Sequence, residues 1–296
     1  MSRKVLITEA AGQTGGAAVR ESLKRGMNVR AMVQSKDDRS AMLEKLGVEV
    51  VVGDFRQIDT VSDAMQGSDA AYFVYSVTPG VIEATVNFAQ AAAEAGVSAV
   101  VNLSQRSASR TSTSWSCRDT WISEQVLNWS GLSVTHLRPT YFLEWLLYPF
   151  QLPLLVEKGI IRLPVGKARH AAIATEDQGR VIAAILENPA PHAGQTYPLF
   201  GLVEMDHDQI AAELSDALGR RIVFQNLGID EYCRYLESLG VSAYRVQHLG
   251  GAMLDYQHGV MSGMNDNVEK LSGRKPMSVG DFARAHLDQL NPNSVK

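Results

Sequence analysis

The chain has 296 residues, 45% of them hydrophobic, and a formal net charge of −4 with the histidines counted as neutral. This length and composition allow a full core, as one large or two modest globular domains. The charges are mixed in sign and form no runs, which excludes the basic surface of a direct nucleic-acid binder and a polybasic membrane anchor. Cys117 and Cys233 lie far apart, outside metal or redox spacing, so we expect no metal site and a reducing, cytoplasmic location.

The opening segment predicts a dinucleotide-binding unit. A short apolar strand at Val5–Thr8 leads into a turn that carries Gly12 and Gly15, and a helix follows from Gly15 to Arg25. Such a turn brings backbone N–H groups against phosphate oxygens, and the helix N-terminus adds partial positive charge. Glu9 stands where the first glycine of this fingerprint is expected, and its charge would repel a pyrophosphate by about 1 kcal/mol.

Beyond this unit, short β-branched runs alternate with alanine-rich amphipathic segments, which is typical of βαβ winding. A glycine follows each of five predicted helices, where a left-handed residue commonly ends a helix. The predicted strands are Val5–Thr8, Asn28–Val33, Glu49–Gly53, Ala70–Tyr75, Ala99–Ser104 and Ser133–Arg138, and the predicted helices are Gly15–Arg25, Arg39–Leu46, Ile58–Met65, Gly80–Ala95 and Asp119–Ser130.

The pattern becomes less regular after Pro139. The sequence therefore predicts an α/β fold: a doubly wound parallel-sheet Rossmann domain at residues 1–139 and a smaller C-terminal α+β substrate domain at residues 140–296. Residues from about 168 to 187 are expected to return to the Rossmann domain. The apolar stretch 141–156 is too short to span a bilayer, so we expect no membrane segment and interpret it as a pocket wall or helical lid.

The end of the second strand bears on which dinucleotide binds. A carboxylate at this point hydrogen-bonds the ribose 2′-OH of NAD and repels the 2′-phosphate of NADP. Here the strand ends at Gln34, and Lys36 and Arg39 follow. The sequence therefore favours NADP, with NAD as the other possibility. The alternative is that both cations are ordinary solvated loop charges.

Three further strand ends carry polar or aromatic side chains. Asp54 and Phe55 suit the bracketing of an adenine, although Asp54 equally suits a helix cap. The fourth strand ends in Tyr75 and Ser76, and the fifth in Ser104, both near the nicotinamide half of a bound dinucleotide. Ser104 is the stronger candidate for a catalytic or substrate-orienting hydroxyl.

Five motifs spread over nearly the whole chain point to one protein family. They are Gly12-Gln13-Thr14-Gly15-Gly16, Gly53-Asp54-Phe55, Asn102-Leu103-Ser104, the run Trp121–Leu132 that leads to Thr135–Phe142, and Asp281-Phe282-Ala283. Together they resemble the NmrA-like branch of the atypical short-chain dehydrogenases. The resemblance implies a Rossmann domain that binds NAD(P), with a small C-terminal domain over the strand ends. It also implies either NAD(P)H-dependent reduction of a small molecule or regulation of a protein partner.

The resemblance assigns expected roles to residues along the strand ends. Gly12, Gln13, Thr14 and Gly15 would contact phosphates, Gln34 and Lys36 the adenosine ribose, Asp54 and Phe55 the adenine, Tyr75 and Ser76 the central part of the cofactor, and Thr140, Tyr141 and Phe142 the junction with substrate. His170, in front of an apolar run, is a further candidate for the substrate pocket.

Reductases with this fold commonly use a Tyr-x-x-x-Lys pair, and the corresponding positions here are Ser116 and Thr120. Ser104 and Tyr141 are the remaining candidates for a catalytic hydroxyl. The sequence favours an NAD(P)H-dependent oxidoreductase that reduces a small apolar carbonyl, quinone or imine. The alternative, motivated by the missing pair and Glu9, is an NAD(P)-sensing regulator without turnover that acts through a protein partner.

Overall fold

A computed structural model describes residues 2–291 as a parallel sheet flanked by helices, with a C-terminal helical region. The strands are β1 (Lys4–Ile7), β2 (Asn28–Val33), β3 (Glu49–Val52), β4 (Ala70–Phe73), β5 (Ala99–Leu103), β6 (Val134–Pro139), β7 (Ile160–Leu163), β8 (Thr196–Leu199) and β9 (Val223–Asn226). The helices are α1 (Gln13–Lys24), α2 (Asp38–Lys45), α3 (Ile58–Met65), α4 (Val81–Glu94), α5 (Trp115–Trp129), α6 (Leu152–Lys158), α7 (Thr175–Glu187), α8 (His207–Leu218), α9 (Ile229–Ser238), α10 (Ala243–Gln257), α11 (Asn267–Ser272), α12 (Val279–Ala285) and α13 (Leu287–Leu290).

Seven strands form the main sheet in the order β3-β2-β1-β4-β5-β6-β8, and every neighbouring pair is parallel. The chain winds outward to β3 and then returns to the other side of β1, so the strand order reverses between β1 and β4. This is the doubly wound arrangement. The predicted Rossmann-like α/β class is confirmed.

Apolar side chains that alternate in direction along each strand form one hydrophobic core on each face of the sheet. Successive side chains of a strand point to opposite faces. Val5 and Ile7 accordingly join one buried cluster with α1 and α7, whereas Leu6 joins another with α3 and α4. Gly179 permits the close packing of α7 on α1, because a Cβ there would lie 2.7 Å from the Cβ of Ala17.

The C-terminal region has a core of its own. The short parallel pair β7 and β9 packs with α6, α8, α9, α10 and α12 around a cluster that includes Leu163, Leu214 and Phe282. None of the described helices has both the length and the apolar character needed to cross a bilayer. Within residues 2–291, no three His, Cys, Asp or Glu side chains are grouped as metal ligands would be.

Most predicted elements agree with the structure to within one or two residues, and the largest difference is at the start of α5. The helix predicted from Asp119 begins at Trp115, because the Ser114 hydroxyl accepts the Cys117 N–H at 3.2 Å and caps the helix four residues earlier. The fourth strand ends at Phe73 and does not extend to Tyr75. The five glycines predicted to end helices, at positions 26, 47, 67, 96 and 131, all have left-handed φ angles between 69° and 80°.

Candidate functional site

The predicted cofactor residues lie along one edge of the main sheet. Because the seven strands are parallel, their carboxyl ends share that edge, where doubly wound proteins bind ligands at the reversal of strand order. The turn after β1 and the segment after β4 meet at this reversal. They are joined by the Thr8 hydroxyl, which donates to the Tyr72 carbonyl at 3.0 Å and accepts the Val74 N–H at 3.1 Å.

The turn between β1 and α1 is tightly closed around a backbone carbonyl. The Gly12 N–H donates to the Glu9 carbonyl oxygen at 2.8 Å. A Cβ at Gly15 would lie 2.2 Å from this oxygen, and one at Gly12 would lie 3.0 Å from it. Gly15 is therefore required by the close approach of α1 to the turn.

The N-terminus of α1 carries backbone donors suited to an anion. Gly12 occupies the N-cap position and supplies no side-chain cap. The N–H groups of Gln13, Thr14 and Gly15 have no hydrogen-bond acceptor among the described residues. Free N–H groups and the helix dipole together form the usual phosphate-binding arrangement.

Glu9 has the conformation of the glycine that it replaces. Its φ of 47° makes it the one non-glycine residue with positive φ in the described part of the chain. Burial raises the pKa of its carboxyl, and attraction to Arg39 opposes that rise. The carboxylate makes no hydrogen bond or close ion pair with any residue in the range 2–291. A half-buried carboxyl group is therefore present at a position where the fingerprint has no side chain.

The segment after β2 holds the two cations predicted to favour NADP. Gln34, Lys36 and Arg39 are all exposed. Lys36 Nζ lies 2.7 Å from a Glu44 oxygen, and the Arg39 guanidinium lies 2.7 Å from an Asp37 oxygen. Such exposed pairs contribute only about 0–1 kcal/mol each, so a phosphate can compete for either cation.

Asp54, at the end of β3, forms a local turn. Its Oδ1 accepts the Arg56 N–H at 2.9 Å, and this hydrogen bond lowers the pKa of the carboxyl, with help from the Arg56 guanidinium. The N-cap of α3 is Gln57. The suggestion that Asp54 caps the helix is therefore wrong, and its contact with adenine stays a prediction.

Phe55 and Tyr75 form part of one aromatic group beneath the sheet edge. Phe55 is buried, with its ring centroid 5.4 Å from that of Phe73 and 5.8 Å from that of Tyr75. The Tyr75 hydroxyl donates to the Pro79 carbonyl at 3.1 Å, and Ser76 is exposed. The structure thus brings the ends of β3 and β4 together.

The end of β5 faces the N-terminal part of α5. The Ser104 hydroxyl is buried and has no partner among the described residues. Next to it in sequence, Gln105 donates from Nε2 to the Thr120 hydroxyl at 2.9 Å, and Thr120 in turn donates to the Ser116 carbonyl at 2.8 Å. The positions expected to hold a Tyr-x-x-x-Lys pair thus carry a closed network of neutral groups.

A second network beside α5 was not anticipated from the sequence. His248 Nδ1 lies 2.9 Å from the Ser114 hydroxyl and 4.0 Å from Cys117 Sγ. Burial lowers the pKa of His248 to about 4 and raises that of the Cys117 thiol, so both groups are neutral at pH 7. Because more than 130 residues separate His248 from Ser114 and from Cys117, no local sequence signal reveals the contact.

The three residues after β6 point to different parts of the molecule. The Thr140 hydroxyl donates to the Met261 carbonyl at 3.2 Å. Phe142 bridges to Ile173 and packs with the core of the main sheet. Tyr141 packs against the C-terminal core, and its hydroxyl is buried without a partner among the described residues.

Tyr141 belongs to an aromatic–histidine cluster in the C-terminal region. The cluster consists of Tyr141, Trp145, His170, His207 and Tyr256, with neighbouring ring centroids 5.1 to 6.2 Å apart. His170 is fully buried, and its Nδ1 is hydrogen-bonded to the Tyr256 hydroxyl. Burial lowers the pKa of His170 well below its usual value and that of His207 to about 4. Both rings are therefore neutral, and substrate contact by His170 stays a prediction.

The family model described as the NmrA-like family matches residues 1–283. This chain belongs to the NmrA-like family. The resemblance found in the motifs is confirmed, and it extends from the glycine turn to α12.

Relatives of this NmrA-like chain include named reductases. An NAD(P)H azoreductase from Xenophilus azovorans is 25% identical over 284 residues, which are 95% of this chain and 97% of the relative. A solved NADPH-dependent quinone oxidoreductase from Escherichia coli, complexed with NADPH, is 24% identical, with a TM-score of 0.84 over 96% of this chain and 99% of that one.

The same fold also occurs in a regulator. The solved structure of NmrA, a negative transcriptional regulator in complex with NAD, is 17% identical to this chain. Its TM-score is 0.80, and the likeness covers 96% of this chain and 94% of that one. The fold is therefore shared by proteins with catalytic names and by a protein with a regulatory one.

Proposed function

We propose that this NmrA-like protein is an oxidoreductase that uses NAD(P)H to reduce a small, largely apolar carbonyl, quinone or imine. The observation that carries the proposal is the glycine turn, where the unpaired N–H groups of Gln13, Thr14 and Gly15 lie at the reversal of strand order. The azoreductase and quinone oxidoreductase names of relatives support the class of chemistry.

The residues at the sheet edge fit a dinucleotide. Gly12 and Gly15 add no side chain to the turn, and the α1 N-terminus offers donors for a pyrophosphate. When bound, the nicotinamide supplies a hydride. The chain's own part is to bind the phosphates and to orient the substrate carbonyl with a hydroxyl such as Ser104.

Tyr141 is the weaker of the two catalytic candidates. Burial raises the pKa of its hydroxyl well above the usual value, so the group holds its proton too firmly to act as an acid near neutral pH. Ser104 is the candidate that we retain, as a hydrogen-bond donor to the substrate oxygen. The proton then comes from water.

We also propose NADP(H) as the preferred cofactor, with NAD(H) accepted. Gln34 supplies no carboxylate to repel a 2′-phosphate, and Lys36 and Arg39 are exposed nearby. Their ion pairs with Glu44 and Asp37 are exposed as well, so they are exchangeable.

A second candidate is an NAD(P)-sensing regulator that acts through a protein partner. The observation that favours it is the neutral network of Ser116, Thr120 and Gln105, which supplies neither a lysine nor an acidic tyrosine. This protein would bind the dinucleotide without turning it over.

Turnover separates the two candidates. NADPH oxidation is followed with a panel of quinones, aldehydes and azo compounds. Reduction of at least one class is expected, and Ser104→Ala should lower kcat/KM by about tenfold, the value of one neutral hydrogen bond. Ser109→Ala, on the same segment, is the matched control and should leave turnover unchanged. Saturable binding without any turnover would support the regulator.

A further inference from the structure

We propose that Glu9 is a selectivity residue that weakens dinucleotide binding and disfavours the 2′-phosphorylated form more strongly. Glu9 thereby narrows the preference for NADP(H) over NAD(H). The inference rests on the proposed dinucleotide site and adds to it a residue at which the chain departs from the glycine fingerprint.

The backbone at position 9 has a left-handed conformation, which glycine adopts more easily than any other residue. Glu9 has a φ of 47°, although side chains disfavour the left-handed region. Its carbonyl nevertheless accepts the Gly12 N–H at 2.8 Å and contacts the Gly15 Cα side of α1, so the turn is closed as a phosphate-binding turn should be. The glutamate therefore adds a side chain to an intact turn.

The turn at Glu9 is joined to the end of β2, because the Ala10 N–H donates to the Met32 carbonyl at 3.2 Å. The charged residue that interacts with Glu9 is Arg39, which lies in α2 shortly after the end of β2. The end of the second strand is where doubly wound proteins distinguish NAD from NADP. On the β4 side the neighbouring titratable group is Tyr72, which is fully buried and whose pKa is raised by burial, so it is neutral.

The interacting charged side chains around Glu9 and the segment after β2 include more carboxylates than cations. Glu9, Asp37 and Glu44 are three carboxylates that interact with two cations, Lys36 and Arg39. Each cation already has a carboxylate of its own within 2.7 Å. Glu9 forms no close ion pair among the described residues and is attracted only by Arg39, which already pairs with Asp37, so its charge is only partly neutralised.

The repulsion should grow with the charge of the cofactor. A 2′-phosphate adds close to two negative charges at neutral pH, in addition to those of the pyrophosphate. Through a medium between protein and water, each further pair of like charges several ångströms apart weakens binding by a factor of about three to five. Glu9 is therefore expected to penalise NADPH more than NADH.

Three variants separate charge from shape. Glu9→Gln removes the charge and keeps the side chain, Glu9→Ala keeps only Cβ, and Glu9→Gly also relieves the left-handed strain. Dissociation constants for NADPH and NADH are measured by nicotinamide fluorescence at low and high salt. Glu21→Gln, farther along α1 and paired with Lys24, is the matched control.

Glu9→Gln is expected to tighten NADPH binding by about fivefold to tenfold and NADH binding by about twofold to threefold, with the difference reduced at high salt. Equal effects on the two cofactors, or an effect of Glu9→Gly with none of Glu9→Gln, would overturn the inference and leave the proposed function in place. Failure of both cofactors to bind the wild type and the Glu9→Gly variant would overturn the proposed function together with the inference.

Discussion

The glycine turn and the aromatic–histidine cluster both contain polar groups without partners among the described residues, but in opposite settings. In the turn, backbone N–H groups lie beside the exposed residues Gly12 and Gln13, where solvent or a ligand reaches them. In the cluster, five side-chain atoms are buried: Tyr141 Oη, Trp145 Nε1, His170 Nε2 and both ring nitrogens of His207. The first set is available for binding, whereas the second carries a desolvation cost.

The largest expected effect comes from adding a side chain inside the glycine turn. Gly15→Ala places a Cβ 2.2 Å from the Glu9 carbonyl oxygen. Because that oxygen belongs to the backbone, the clash is relieved only if α1 moves away from the turn. We expect a loss of about 2–3 kcal/mol in the free energy of unfolding, by denaturant titration, and loss of detectable dinucleotide binding. Gly16→Ala is the control, since its Cβ would lie 3.4 Å from a flexible Arg20 side chain. Normal binding by Gly15→Ala would show that the turn is not the cofactor site.

The glycine turn could be predicted from the sequence and the aromatic–histidine cluster could not, because only the turn is formed by residues close together in the chain. The glycine turn is local: three residues of a short segment fix its shape, so spacing alone located it. The parallel sheet also followed from local alternation and glycine-terminated helices. The cluster could not be predicted in this way, because the contact between His170 and Tyr256 joins residues 86 positions apart. Likewise the early start of α5 depends on the capping hydroxyl of Ser114, which the helical pattern after Asp119 did not include.

Glu144 provides a pH test of a buried polar group. Its Oε1 accepts the backbone N–H and the hydroxyl of Thr175, while Oε2 is buried without a partner among the described residues. Burial raises the pKa of this carboxyl from 4.5 to about 7. The folded state therefore keeps the proton over a range where the unfolded chain has lost it, and stability falls as pH rises from about 4.5 to about 7.

Glu144→Gln should remove this dependence. The variant is expected to be more stable than the wild type above pH 7, by up to ~3 kcal/mol, and nearly equal to it near pH 4.5. Urea unfolding at both pH values measures the difference. A difference that is constant with pH would contradict a raised pKa of Glu144 in the folded state.

Two buried histidines allow a direct comparison of a ring with hydrogen-bond partners and a ring without them. Both ring nitrogens of His207 lack partners among the described residues, whereas those of His136 lie 2.9 Å from Asn102 and 3.0 Å from Asn128. Replacing an unpaired buried polar group by an apolar one of similar shape is neutral to favourable. His207→Phe is therefore expected to raise the free energy of unfolding by about 1 kcal/mol, and His136→Phe to lower it by about 1–3 kcal/mol. Equal losses for both would indicate that the His207 ring is hydrogen-bonded in solution.

The smallest expected effect concerns the cofactor's 2′-phosphate. Lys36 is exposed, so Lys36→Ala should weaken NADPH binding about threefold to fivefold and leave NADH binding unchanged, as measured by fluorescence titration. Lys24→Ala, which removes a charge at the far end of α1, is the control. Equal affinities for the two cofactors before and after the change would refute the NADP preference.

The central claim is that the turn of Glu9, Gly12 and Gly15 is a working dinucleotide site, and calorimetric titration tests it most directly. NADPH and NADH are titrated separately into the wild-type protein and into the Glu9→Gly variant. Saturable one-to-one binding to the wild type, tighter in the variant, is the predicted result. The absence of binding heat for both cofactors with both proteins, confirmed by unchanged nicotinamide fluorescence, would contradict the claim.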